Sequence, residues 1–165
     1  MYLLDTEIVL ELRKARASRT DPGLAAWAAG VDRQGLFLSA FTLIELDGAA
    51  ARLARSDKAA GAALAAWIEG QVLPAFDGRI LAVDAAVARR RAQLAIPELR
   101  DALLAATALV HGLTLVTRTP AAFKAARVKS FDPWGWRPDA AEEDADWRQA
   151  ARTGPLWLKN LFVRA

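Results

Sequence analysis

The sequence predicts an α/β fold: a short parallel central sheet of four to five strands with helices on both faces. Three observations predict it. Short apolar runs alternate with longer helical patterns along the chain, which implies right-handed crossovers. The runs themselves are brief and apolar, as strands covered on both faces require. An alanine bias strengthens the helices between them.

The elements follow in order. Tyr2–Leu4 reads as a first strand, ending at Asp5-Thr6 and turning into a helix from Glu7 to about Lys14. Asp21-Pro22 starts the next helix, the acid as cap and Pro in the first turn. Leu24, Trp27 and Val31 form its apolar face. Gly35–Ser39 is a second strand, and a helix from about Thr42 to Arg55 follows. Ser56-Asp57 caps another helix, with Leu64, Trp67, Ile68 and Val72 on one face. Asp77-Gly78 is a turn into a third strand, Arg79–Val83, which ends in Asp84. A helix over Ala85–Leu94 carries Arg89-Arg90-Arg91, which reads as a solvated face, with tracking of a nucleic-acid backbone as the alternative. Beyond Pro97, a helix begins near Arg100-Asp101 and runs to His111, where Gly112 stops it. Leu113–Thr117 is the fourth strand. A short helix over Ala121–Ala126 and a last strand, Val128–Phe131, complete the pattern.

After Trp134-Gly135-Trp136 the character changes. The sequence divides into a domain over 1–136 and a C-terminal extension over 137–165. The extension reads as a polar helix over 139–152 and an apolar segment containing Leu156, Trp157, Leu161 and Phe162. Its large apolar side chains are costly to expose, so packing of the extension on the core is the expectation, with a contact to a partner chain as the alternative.

Composition excludes much chemistry. The chain has 165 residues, one histidine and no cysteine. That length suits one domain with a sizeable core. Disulfides, thiolate nucleophiles, iron–sulfur clusters and cysteine zinc sites are impossible. A multi-histidine metal site is impossible too, so a metal must take oxygen ligands, which favours Mg²⁺ or Mn²⁺. No window suits a membrane span, and the N-terminus lacks the basic start of a signal peptide. The expectation is a soluble, cytoplasmic protein without membrane contact. The net charge of +3 lies in residues 1–136, which hold 17 basic and 14 acidic residues. This surplus permits RNA binding without requiring it.

In parallel sheets, sites form beyond the carboxyl ends of the strands. Asp5 sits at one such end. Glu45 lies early on the helix after the second strand, and Asp101 opens the helix before the fourth. Three carboxylates meeting there repel one another unless a divalent cation joins them. Such a cation suits phosphodiester hydrolysis by an activated water. Each acid also has a purely structural reading. Asp5 can cap the next helix, Thr42-x-x-Glu45 matches a capping box, and Asp101 can serve a helix dipole. His111 reads as a helix cap, and Trp27 and Trp67 as core. A receiver-like or phosphatase-like domain using Asp5 is disfavoured, since Asp5-Thr6-Glu7 has no Asp-x-Asp pair and Lys124 and Lys129 are poorly placed.

A wider set of motifs now falls into line. Tyr-Leu-Leu-Asp5-Thr6, Leu-Ser39-x-x-Thr42-x-x-Glu45-Leu, Asp101-Ala-Leu-Leu-Ala-Ala-Thr107-Ala, Leu-Val-Thr117-Arg118 and Phe-Asp-Pro133-Trp134 occur in this order. Together they resemble the PIN-domain family, in its VapC/FitB-type branch of ribonuclease toxins from type II toxin–antitoxin modules. The segment from Trp67 through Pro74, Phe76 and Arg79 to Asp84 resembles the same branch. The resemblance covers about residues 1–136. It implies a Mg²⁺- or Mn²⁺-dependent endoribonuclease, a homodimer, and a cognate antitoxin that silences it. Asp5 and Asp101 match metal ligands, and Glu45 matches the third acid. Thr6 and Thr117 match polar residues lining the site, with Glu7, Arg118 and Thr119 beside them. Arg118 is suited to an RNA phosphate or to a site acid; Arg100, Arg13, Lys14 and Arg16 are further basic residues nearby.

Three departures stand out. Glu7 replaces the family's usual Asn and adds a carboxylate. Thr119 and Ala122 stand where the family has an Asn and its last acid. The family also usually ends near the Pro-Trp. The second departure leaves another reading open, a catalytically weakened PIN-like module that binds RNA or antitoxin.

Overall fold

The computed structural model describes residues 1–14 and 20–137. Alternation along three strands divides the core into two layers. Leu4, Leu36, Leu38 and Val116 face one layer, while Leu3 and Leu115 face the other, with Phe37 packed beside them. These residues belong to β1 (Tyr2–Leu4), β2 (Leu36–Ser39) and β4 (Thr114–Val116). With β3 (Ile80–Leu81) and β5 (Ser130–Phe131) they form one sheet in the order β3-β2-β1-β4-β5. Every pairing is parallel, with Leu3 opposite Phe37 on one side and Leu115 on the other. The predicted α/β architecture is therefore observed.

The first layer is built by α1 (Thr6–Lys14), α2 (Pro22–Gly30), α3 (Ala40–Ser56) and α4 (Lys58–Trp67). A π-helical turn, Ile68–Val72, leads from α4 into the short α5 (Leu73–Ala75). Trp27 and Trp67 are both core, as expected; Trp27 meets Tyr2 edge-on with centroids 5.4 Å apart. The second layer is built mainly by α7 (Leu99–Val110) and the 3₁₀ segment Pro120–Ala126, with α6 (Ala85–Ala92) packed on α7.

The predicted punctuation is visible in detail. The Asp21, Asp57 and Asp84 side chains accept from the backbone amides of Leu24, Ala60 and Val87. His111 caps the C-terminus of α7, and Gly112 follows at φ 64°. Two local expectations need correction. α3 begins at Ala40, capped by Ser39, whose side chain accepts from the Phe41 amide. The Thr42–Glu45 capping box therefore does not form: both residues lie inside the helix. The strands are also shorter than their apolar runs; the third keeps only Ile80–Leu81, because β3 is an edge strand with a single neighbour.

Arg79 has a role that its strand position did not suggest. Its guanidinium is buried and donates to the carbonyls of Arg33 (2.7 Å), Leu36 (2.8 Å) and Ala75. It thereby ties the end of α5 to the start of β2. Burial lowers its pKa, with help from nearby Arg33. The expected extension past Arg137, including the helix over 139–152 and the apolar segment with Trp157, lies outside the described residues, as does Arg16. No described helix is long and apolar enough to cross a membrane.

Candidate functional site

The carboxyl ends of β1 and β4 lie side by side, which brings Asp5 and Thr117 together. The Asp5 amide donates to the Val116 carbonyl (3.0 Å), so the residue is pinned as β1 ends. Its side chain is 1% exposed. A carboxylate buried this deeply needs donors, and it has two. Thr117 Oγ1 donates to Oδ2 at 2.7 Å, and Arg100 Nη2 donates to Oδ1. The Asp5 side chain thus serves these partners and not the first turn of α1.

Arg100 organises the rest. It sits in the first turn of α7 and uses three nitrogens on three acids. Nη2 reaches Asp5, Nε reaches Glu45 Oε1 at 2.7 Å, and Nη1 reaches Asp101 Oδ1 at 2.8 Å. Thr6 Oγ1 donates to the second oxygen of Glu45. Burial alone would lower the Arg100 pKa. The charges of Asp5 and Glu45, with the hydrogen bonds to Glu45 and Asp101, outweigh burial and raise it above the ordinary arginine value. The guanidinium is therefore a permanent cation. A cation in the first turn of a helix opposes the helix dipole, so the three carboxylates account for its place there.

The sequence-selected acids Asp5, Glu45 and Asp101 thus converge from β1, α3 and α7, and Thr6 and Thr117 each support one of them. Other selected residues stand apart. Glu7 is exposed and makes no ion pair among the described residues. Thr119 is exposed; its amide donates to Thr117 Oγ1 at 3.2 Å, and its hydroxyl stands 3.4 Å from that atom. Arg118 makes no ion pair with a site acid; its guanidinium lies over the Trp134 ring, 5.0 Å from the centroid. Arg13 lies over Trp67, and Lys14 pairs with Glu11. One turn before Glu45, the buried Thr42 hydroxyl has no hydrogen-bond partner among the described residues. Sequence reasoning noted Arg100 only as a nearby base. The available hint was a cation in a helical first turn beside Asp101.

Charge decides what this arrangement can do. Three carboxylates and one guanidinium leave a net negative, oxygen-rich centre at the sheet edge, attractive to a further hard cation. Among the described residues, no three acidic or histidine side chains stand ready as they are to hold a metal ion. The acids are instead drawn to Arg100.

Comparison with known proteins agrees with the fold. The family description "PIN domain" matches residues 2–128. A VapC ribonuclease, Y4jK, of Sinorhizobium fredii is 33% identical over 145 residues, covering 81% of this chain and 98% of the relative. Toxin FitB of Neisseria gonorrhoeae is 34% identical over 142 residues, with coverage of 81% and 99%. Among solved structures, FitAcB from N. gonorrhoeae superposes with a TM-score of 0.73 at 33% identity, covering 81% of this chain and 99% of the other. FitAB bound to an IR36 DNA fragment gives 0.73 at 31% identity, covering 84% and 99%.

Proposed function

The chain belongs to the PIN-domain family, and on that premise we propose that it is a toxin-type endoribonuclease that hydrolyses RNA phosphodiesters at the Asp5–Glu45–Asp101 centre. The observation that carries this reading is the convergence of three acids from three chain segments on the one guanidinium of Arg100, beyond the carboxyl ends of β1 and β4. The donor chemistry fits Mg²⁺ or Mn²⁺: the three side chains that meet at Arg100 are all hard oxygen ligands. Asp5 and Asp101 would hold the ion, with Glu45 as the third acid. When bound, such an ion polarises a phosphate oxygen and makes a water more acidic.

The chain's own residues supply the rest. Thr117 holds Asp5 by one oxygen and leaves the other turned to the centre. Thr6 does the same for Glu45. Such supports fix the orientation of a ligand, and losing one typically costs about 10–100-fold in metal affinity or activity. Arg118 is exposed beside Thr117, stacked on Trp134, where its fork is free to meet an RNA phosphate. The FitAB and FitAcB relatives support a cognate antitoxin as partner; a homodimeric toxin is part of this reading on the family resemblance alone.

Cleavage of single-stranded and structured RNAs by the purified protein with Mn²⁺ tests this reading. Wild type should cut, and Asp5→Ala and Asp101→Asn should not; wild-type cleavage no greater than that of Asp5→Ala refutes it. The exposed Thr119 and Ala122, where the family's Asn and last acid are expected, favour one alternative, a module that binds RNA or antitoxin without cutting. Carboxylate-dependent Mn²⁺ binding separates the two, since the inactive module should show none.

A further inference from the structure

We propose that Arg100 is a built-in cation occupying the place of the catalytic metal, and that metal enters only as the guanidinium leaves. This rests on the reading above that a divalent ion binds the three acids.

The oxygen atoms make the case. Asp5, Glu45 and Asp101 offer six carboxylate oxygens between them. Arg100 takes one from each. Thr117 takes the second oxygen of Asp5, and Thr6 the second of Glu45. Asp101 Oδ2 alone has no partner among the described residues. The oxygens that keep a lone pair still face a guanidinium that stands among them and repels a second cation, so a divalent ion that seeks several hard ligands finds its place taken. The two threonines hold their acids from behind and orient them. Arg100 holds all three from the centre, and it is the one donor whose departure frees an oxygen on every acid.

Arg100 is also able to leave. Its side chain is 33% exposed and hangs from the first turn of α7 on a flexible stem, so a rotamer change is enough. Asp5 is buried and fixed at both oxygens, and cannot move to meet a metal elsewhere. The exchange is also balanced in charge. Removing a partner without replacing it would leave buried, uncompensated carboxylates. The arriving ion supplies positive charge as the guanidinium withdraws. The protein thus folds around its acidic centre without metal, and its metal affinity is lowered by the free energy of the three ion pairs that must break.

The test is Mn²⁺ binding by calorimetry to the wild type, Arg100→Gln and Arg100→Lys. Gln removes the competing cation, so Mn²⁺ affinity should rise about tenfold or more. The Lys ammonium keeps the charge but not the planar fork, so its affinity should lie between the two and nearer to Gln. Thermal unfolding without metal should show Arg100→Gln less stable than wild type, with Mn²⁺ restoring it. A measurement on wild type alone guards against poor folding of the variants. On titration with Mg²⁺, the ¹⁵N-detected Arg100 Nε–H should lose its slow exchange as its bond to Glu45 breaks. Equal or weaker Mn²⁺ affinity in Arg100→Gln overturns the proposal and leaves the metal reading standing. So does an Arg100→Lys affinity equal to wild type, or an Nε–H that stays protected at saturating Mg²⁺. Absence of Mn²⁺ binding in both wild type and Arg100→Gln overturns the proposal together with the metal reading.

Discussion

Replacing Thr117 by Val removes one hydroxyl from the candidate site and almost nothing else. The side chains have the same shape, and the position is fully buried. The lost oxygen does two things. It donates to Asp5 Oδ2 at 2.7 Å, and it accepts from the Thr119 amide at 3.2 Å. The second loss costs little, since Thr119 is exposed and its amide can turn to water. The first is a hydrogen bond to a charge with no solvent to replace it, worth about 1.5–3 kcal/mol. The new methyl returns up to about 0.8 kcal/mol of apolar burial. The net expectation is a loss of about 2 kcal/mol, roughly thirtyfold in the folding equilibrium. For a domain of this size the midpoint should fall by about 4–8 °C. Thermal and urea unfolding of the wild type and Thr117→Val measure the two losses, with Thr119→Val as the control. Thr119 has only the 3.4 Å contact to lose, so its variant should stay within about 0.5 kcal/mol of wild type. Metal-dependent RNA cleavage by Thr117→Val should also fall about 10–100-fold, the usual cost of losing a support behind a metal ligand. A Thr117→Val stability indistinguishable from that of Thr119→Val would refute the claim that Thr117 holds Asp5 in place.

The remaining predictions test packing and charge. A Cβ on Gly61 would stand 2.5 Å from the backbone of Ala54, where α4 crosses α3. Gly61→Ala should therefore lower stability by about 1–3 kcal/mol in urea unfolding, despite the better helix propensity of Ala. Gly70, by contrast, has nothing within 4 Å of its Cβ position, and Gly70→Ala should raise stability by up to about 1 kcal/mol. Arg79→Leu removes the donor to the Arg33 and Leu36 carbonyls, though Arg33 still donates to Ala75 at 2.9 Å. It should cost about 3 kcal/mol or more by the same assay. The pKa of Arg100 is raised, so its contribution is complete below the ordinary arginine value and is lost only as pH rises past the higher folded value. Its guanidinium should thus stay charged between pH 7 and 9, seen as an unchanged Nε–H resonance across that range.

What the sequence revealed depended on how local the physics was. Helix starts at Asp21, Asp57 and Asp84 were legible because a cap is a contact over three residues, and each carboxylate does accept from the expected amide. The same rule misplaced the start of α3. Ser39, the last residue of β2, is as able to cap as Thr42, and it is the Ser39 hydroxyl that accepts from the Phe41 amide. Strand lengths were overread because apolar character extends past the last ladder hydrogen bond, most of all in β3 at the sheet edge. The three acids were legible as residues at the carboxyl ends of strands or on the adjoining helices, since parallel topology fixes where those ends meet.

Arg100 was not legible in this way, and the reason bears on the site's chemistry. Its three partners lie 95, 55 and 1 residues away in sequence, so no local pattern marks it. The only local sign is negative: a cation at a helix N-terminus, where the dipole disfavours one. A residue placed against its local preference must be held by something non-local. Here three carboxylates hold it, and they do so at the centre of the cluster, where they would otherwise repel one another. The acids and Arg100 therefore form one unit: the acids alone would strain the fold, and the guanidinium alone would strain the helix. A substitution at any of the four changes the cost of the other three. Asp101→Asn should consequently weaken the Arg100 pairs with Asp5 and Glu45 as well as its own, and the stability losses of Asp101→Asn and Arg100→Gln should add to more than that of the double variant. Strict additivity in a double-mutant cycle would mean that the four residues act separately.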